Sequence, residues 1–178
     1  MIGQFAKGRV AVCIDAANVF YSQKSLGWNV DYEKLATYLN SETTLAGLYY
    51  YTGKIGSLEK QLAFIRHIEA HGYRVTAKEV KFIKTGDTVL PKGNLDVELA
   101  LDAFRYKDSY DTLLLFSGDS DFAYLLDLLK QDGKRVLVAS TRGHIAKELL
   151  NRAKYIELRK LRFFIEKSKG PVTRPLEV

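Results

Sequence analysis

Short apolar runs recur along the chain, each followed by a stretch of helical period. Residues 10–14 (Val-Ala-Val-Cys-Ile) and 112–116 (Thr-Leu-Leu-Leu-Phe) are unbroken by charge, as expected of strands buried on both faces. Residues 45–51, rich in aromatics, and 135–139 read as further strands, with 155–158 as a short last one. Residues 73–83 alternate without a clean apolar face. They predict one long strand nearer a sheet edge, then a turn at Thr85-Gly86-Asp87 and a short return strand over 88–91. Between these runs, residues 17–26 predict a short helix broken at Gly27. Asp31 is placed to cap a helix with Leu35, Tyr38 and Leu39 on one face. Ser57 is placed to cap another, carrying Leu62, Ile65 and Ile68 and ended by Gly72. Residues 95–107 predict a helix. After Ser120, Phe122, Leu125, Leu126 and Leu129 fall at i, i+3, i+4 and i+7, and residues 143–152 predict one more. Residues 161–165 have no clear period.

Strands alternating with helices predict an α/β fold: a three-layer sandwich with a mostly parallel central sheet and helices on both faces. The 178 residues suit one domain, expected over 1–166, with 167–178 as a tail containing Pro171 and Pro175.

Composition adds three constraints. Cys13 is the single cysteine and lies inside the first strand, so no disulfide can form within the chain, and a reducing, cytoplasmic setting is expected. No apolar run approaches the ~20 residues needed to span a bilayer, so no membrane partner is expected. The formal net charge of +6 is uneven: residues 134–178 hold 12 Lys or Arg against 4 Asp or Glu, and residues 1–133 hold 15 against 17. The cationic excess of the last quarter suits a polyanionic partner, with Lys134, Arg142, Lys147 and Arg152 flanking the fifth strand and its helix.

The candidate chemistry lies where two strands end. Asp15-Ala16-Ala17-Asn18 follows the first strand, and Ser117-Gly118-Asp119-Ser120-Asp121-Phe122 follows the strand over 112–116. In open α/β sheets, ligand sites form beyond the carboxyl ends of the strands, where the winding reverses. If these strands are neighbours, Asp15, Asp119 and Asp121 share one crevice. The helix from Leu95 is apolar apart from Asp96, Glu98 and Asp102 in its first turns. Asp96 and Asp102 lie 120° apart by the helical period, so Asp96 is expected to turn inward and Asp102 to play a supporting or second-metal part. Clustered carboxylates repel one another unless a cation neutralises them, and ligands of oxygen alone suit Mg²⁺ or Mn²⁺. Each acid also has a plain structural use, as a helix cap or a first-turn acid. A zinc motif, a serine triad and a phosphate loop are unsupported, although His67 and His71 have a spacing that can hold a metal.

These residues carry a resemblance. Ile14-Asp15-Ala16-Ala17-Asn18, Lys92-Gly93-Asn94-Leu95-Asp96-Val97 with Ala100 and Asp102, and Ser117-Gly118-Asp119-Ser120-Asp121-Phe122 resemble the NYN domain in its LabA-like branch, itself similar to PIN domains. The resemblance implies a PIN-like, Rossmann-like fold and Mg²⁺- or Mn²⁺-dependent endonucleolytic cleavage of RNA. It implies Asp15, Asp96 and Asp119 as metal ligands, Asp121 as a further catalytic acid, and Asn18 at the edge of the site. Asn94-Leu95 departs from the Gly-Val more usual before the helix acid. Phosphodiester cleavage needs a positioned water and neutralised phosphate oxygens. Asn18, Ser117 and Ser120 can position the water, while Lys92, Arg142, Lys147 and Arg152 can reach phosphates. Single-stranded RNA is therefore the expected partner, and a homodimer stays open. Two rival readings stand beside this one: a non-catalytic RNA-binding or regulatory module, and a phosphatase for a small phosphorylated substrate.

Overall fold

A computed structural model describes residues 1–54, 59–85 and 88–168, with the backbone alone for 81–85 and 88–92. The expected cap Ser57, the turn at Gly86-Asp87, the side chain of Lys92 and the tail from Lys169 lie outside the described residues. The elements are β1 (Arg9–Asp15), α1 (Ala16–Leu26), α2 (Tyr32–Glu42), β2 (Thr44–Lys54), α3 (Glu59–Ala70), β3 (Tyr73–Glu79), β4 (Lys81–Thr85), β5 (Thr88–Lys92), α4 (Asp96–Arg105), β6 (Thr112–Phe116), α5 (Ala123–Gln131), β7 (Arg135–Ser140), α6 (Lys147–Leu150), β8 (Lys154–Glu157) and α7 (Arg162–Ile165).

Among the described residues, six strands form one sheet in the order β3-β2-β1-β6-β7-β8, and every pairing in it is parallel. The chain winds outward from β1 to one edge, then returns to β6 beside β1 and winds to the other edge. That doubly wound order puts the reversal point between β1 and β6. The central strands are buried on both sides, which is why they read as continuous apolar runs. Strand alternation divides their side chains between two cores. Val10, Val12, Ile14, Leu114, Phe116, Leu137 and Ala139 face one way, against Val19 of α1, Leu35 and Leu39 of α2, Ile68 of α3 and Ile165 of α7. Ala11, Cys13, Leu113, Leu115, Val136 and Val138 face the other, against Leu99 and Ala103 of α4, Leu125, Leu126 and Leu129 of α5 and Leu149 of α6. The three layers follow directly from this division. Cys13 is a buried core residue, and burial pushes its thiol far above the ordinary range. Among the described residues, no helix is long and apolar enough to cross a membrane.

Two expected elements differ. The single strand over 73–83 is two strands that part at Val80. β3 is an edge strand of the main sheet, while β4 pairs antiparallel with β5 in a separate hairpin. The Val80 amide still donates to the Lys54 carbonyl at 2.8 Å, and Val80 itself is buried. The Val80 side chain packs so close to Gly93 that a Cβ there would collide with it, which fixes the foot of the hairpin just ahead of α4. The helix expected over 143–152 is reduced to Lys147–Leu150. Gly143 has φ of +93°, a left-handed conformation that breaks a helix, and the Ala146 amide donates to the Gly118 carbonyl at 2.9 Å. The first half of the segment is thus a loop held against the end of β6.

Candidate metal centre

Strand alternation also aims the site. Asp15 follows Ala11 and Cys13 at steps of two, and Ser117 follows Leu113 and Leu115, so both point to the face that α4 covers. Ile14 pairs with Phe116 in the parallel register, which sets Asp15 beside Ser117. Each acid is then fixed by local backbone demand. Asp15 is the N-cap of α1 and accepts the Asn18 amide at 3.1 Å through one oxygen; its other oxygen accepts the Ser117 hydroxyl at 3.0 Å. The Ser117 oxygen in turn accepts the Asp119 amide at 3.2 Å. Asp119 caps the short 3₁₀ turn Ser120–Phe122 and accepts the Asp121 amide at 3.0 Å. The Asn18 side-chain oxygen accepts the Gly118 amide at 2.9 Å, tying α1 to the turn after β6. A Cβ at Gly118 would overlap the carbonyl oxygen of His144, so only glycine lets the two loops meet. The Ser-Gly-Asp triplet therefore has one task per residue.

Asp96 enters from α4, which has no side-chain cap at Leu95. Asn94 supplies the cap from one residue further out: its side-chain oxygen accepts the Asp96 amide at 2.7 Å, and its amide nitrogen donates to the Asp96 carboxylate. Asp96, Asp119 and Asp121 each offer a carboxylate oxygen, and these oxygens all lie within 4.8 Å of one another. Asp15 adjoins this group without belonging to it. Asp102 lies apart, where the Tyr51 hydroxyl donates to it at 3.2 Å, and Glu98 turns to the Lys78 ammonium at 2.6 Å. Ser120 is exposed. A cleft of about 470 Å³ opens over the group, with Asp15, Asn18, Tyr51, Asn94, Asp96 and Asp119 among its walls.

Of the expected basic residues, Arg142 and Lys147 are exposed, one in the loop after β7 and the other at the start of α6. Arg152 is held by Asp127 at 2.8 Å and by the Glu148 carbonyl at 2.9 Å. Lys134 precedes β7 and donates to the Tyr110 carbonyl, which puts it at the amino end of the sheet, away from the crevice. The parts played by Asn94 and Tyr51 are not among the sequence expectations. Asn94 carries a usable signal, since an asparagine two residues before a helix-opening acid has the spacing of an Asx turn. Tyr51 carries none, being one aromatic in a core strand.

The electrostatics are unfavourable without a cation. The Asp15 carboxyl is pushed up to about 6, chiefly by burial and further by Asp96 and Asp119, against the lowering pull of the Asn18 amide and the Ser117 hydroxyl. Asp96 is also raised, first by burial and then by Asp119, Asp121 and Glu98, while the Asn94 hydrogen bond lowers it. The folded chain therefore keeps the Asp15 proton to higher pH than the unfolded chain, whose value is near the ordinary 3.8. Stability from this group falls as pH rises between those two values, because the native state binds more protons there. In chelator, Asp15→Asn should gain on wild type across that window by about 1–2 kcal/mol, allowing for partial exposure. Urea unfolding of both proteins at several pH values checks this. A stability difference that does not change with pH contradicts it.

Comparison with known proteins agrees with this geometry. The low amplitude and bright protein LabA of Synechococcus elongatus is 36% identical over 173 residues, which cover 94% of this chain and 92% of that protein. A solved structure of a protein of unknown function from Vibrio parahaemolyticus matches with a TM-score of 0.73 and 26% identity, over 89% of this chain and 96% of that one. The NYN domain pattern matches residues 9–159, from the first residue of β1 to just past β8. That span holds the whole parallel sheet and every acid of the crevice, and the chain belongs to the NYN domain family, in its LabA-like branch.

Proposed function

We propose that the chain is a metal-dependent ribonuclease that hydrolyses phosphodiester bonds of RNA at the β1/β6 crevice. The observation that carries this reading is the convergence of Asp96, Asp119 and Asp121, whose oxygens lie within 4.8 Å of one another at the reversal point of the sheet. Three carboxylates and no nitrogen or sulfur make a donor set for a hard cation, Mg²⁺ or Mn²⁺. Asp15 borders the set and adds negative charge, with both of its oxygens already accepting hydrogen bonds. When bound, such a cation activates a water and neutralises the non-bridging phosphate oxygens. The remaining parts are the chain's own. Asn94 orients Asp96, Ser117 locks Asp15 to the Asp119 turn, and Asn18 joins α1 to that turn. The cleft of about 470 Å³ falls within the range of small-ligand sites and admits a nucleotide-sized group.

An acidic crevice repels the RNA backbone, so attraction must come from another surface. Arg142 and Lys147 are exposed in the segment that packs on Gly118, beside the end of β6. Both belong to the cationic last quarter and lie at the end of the sheet that carries the crevice, and we assign them to the phosphate backbone.

Two measurements test the reading. Asp96→Asn and Asp119→Asn should each slow Mn²⁺-dependent cleavage of a single-stranded RNA by about a hundredfold or more, since losing a direct ligand costs at least as much as losing an outer-shell partner. Their circular dichroism should stay native. Wild-type rates in both variants would end the assignment, and no cleavage by wild type under any divalent ion would favour the binding-module reading. RNA affinity should fall with salt, and Arg142→Ala with Lys147→Ala should reduce the log–log slope by about 0.7 for each lost contact. An unchanged slope removes those two residues from the binding surface.

A further inference from the structure

A second group of ligating side chains lies at the other end of the sheet. His67 and His71 are one helical turn apart at the carboxyl end of α3, and Glu33 meets them from the first turn of α2. Each offers one ligand atom, and the three atoms all lie within 4.8 Å of one another. Glu33 Oε2 is 3.3 Å from His71 Nε2, and the two imidazole centroids are 4.6 Å apart with the rings tilted by 57°. His71 closely precedes β3, whose amino end is opposite the carboxyl ends that form the crevice. The group is therefore separate from the carboxylate centre, and its ligand chemistry is independent of the nuclease reading.

The hydrogen bonding of His71 narrows what this group can do. Its Nδ1 lies 2.8 Å from the carbonyl oxygen of His67, so Nδ1 carries a proton and donates it there. In the neutral ring, Nε2 then turns its lone pair toward the Glu33 carboxylate. A metal-bound histidine has the same arrangement, one nitrogen donating to a backbone carbonyl and the other on the ion. A cation between the three engages all of them.

We propose that Glu33, His67 and His71 form a site for a borderline transition-metal ion such as Zn²⁺, which clamps α2 to α3. Two imidazoles and one carboxylate are a common zinc donor set, with solvent completing the fourth position. Zn–N bonds of about 2.0–2.1 Å hold tetrahedral ligand atoms about 3.3 Å apart; Glu33 and His71 already have that separation, so His67 is the side chain that moves in on binding. Glu33 and His67 are exposed and free of core packing, which permits that movement. The two ends of the sheet thus differ in ligand chemistry: oxygen alone at the crevice, nitrogen with oxygen here.

The test uses the full chain carrying Asp96→Asn and Asp119→Asn, so that the crevice does not contribute. After treatment with chelator, it is titrated with Zn²⁺ by calorimetry in excess Mg²⁺, and with Co²⁺ by visible absorption. One ion per chain should bind despite the Mg²⁺, and Co²⁺ should give ligand-field bands. Adding His67→Ala with His71→Ala, or Glu33→Gln alone, should weaken Zn²⁺ binding by about tenfold or more. In an otherwise wild-type chain these substitutions should leave RNA cleavage unchanged. Equal Zn²⁺ affinity with and without the two histidines overturns the proposal, as does an absence of Zn²⁺ binding in excess Mg²⁺.

Discussion

The parallel pairing of β1 with β6 sets Ile14 against Phe116, and nearly everything at the crevice depends on that register. It puts Asp15 next to Ser117, whose hydroxyl joins the Asp15 carboxylate to the amide of Asp119. It also makes the junction between the two strands the place where the winding reverses, so the loops on either side diverge and leave a cleft. A one-residue slip of β1 would turn Asp15 to the α1 face and carry Val10, Val12 and Ile14 out of the core they share with Val19. The deep apolar burial of both strands is what forbids that slip.

The fold gathers negative charge at a cost. Burial and neighbouring acids raise both Asp15 and Asp96, and the chain offsets part of that with hydrogen bonds from backbone amides, Ser117 and Asn94. A site assembled only for stability would place a lysine or arginine here, as it does where Lys78 meets Glu98 and Arg152 meets Asp127. Acids held together by caps and turns have instead the form of a centre completed by a bound cation. The glycine at 118 serves the same end: without a Cβ, the β6 turn and the loop before α6 can meet, bringing the exposed Arg142 and Lys147 to the same end of the sheet.

Much of this is legible in the sequence, for definite reasons. Strands buried on both faces announce themselves as apolar runs, so β1, β6 and β7 and the acids at the ends of the first two can be placed from pattern alone. Asp96 stands out with Glu98 and Asp102 as an acid on an otherwise apolar helix, while its orientation at the crevice depends on the hydrogen bonds from Asn94. Other features depend on contacts between segments distant in sequence. The break at Val80 comes from its packing on Gly93 and its bond to Lys54, and the shortening of α6 from the grip of Gly118 on Ala146. Which acids stand closest is not readable either, because a 3₁₀ turn after Asp119 brings Asp121 back toward Asp96 where a regular helix is expected. Glu33 is invisible beside His67 and His71, since only the packing of α2 against α3 brings it there.

The central claim is that Asp96, Asp119 and Asp121, bordered by Asp15, hold a divalent cation. Crystals of the wild-type chain soaked in Mn²⁺ and measured at the manganese edge test it most directly. An anomalous peak among those three carboxylates, with oxygen ligands at about 2.1–2.2 Å, is the predicted result. A crevice without a peak in crystals that bind Mn²⁺ elsewhere, or not at all, would contradict it.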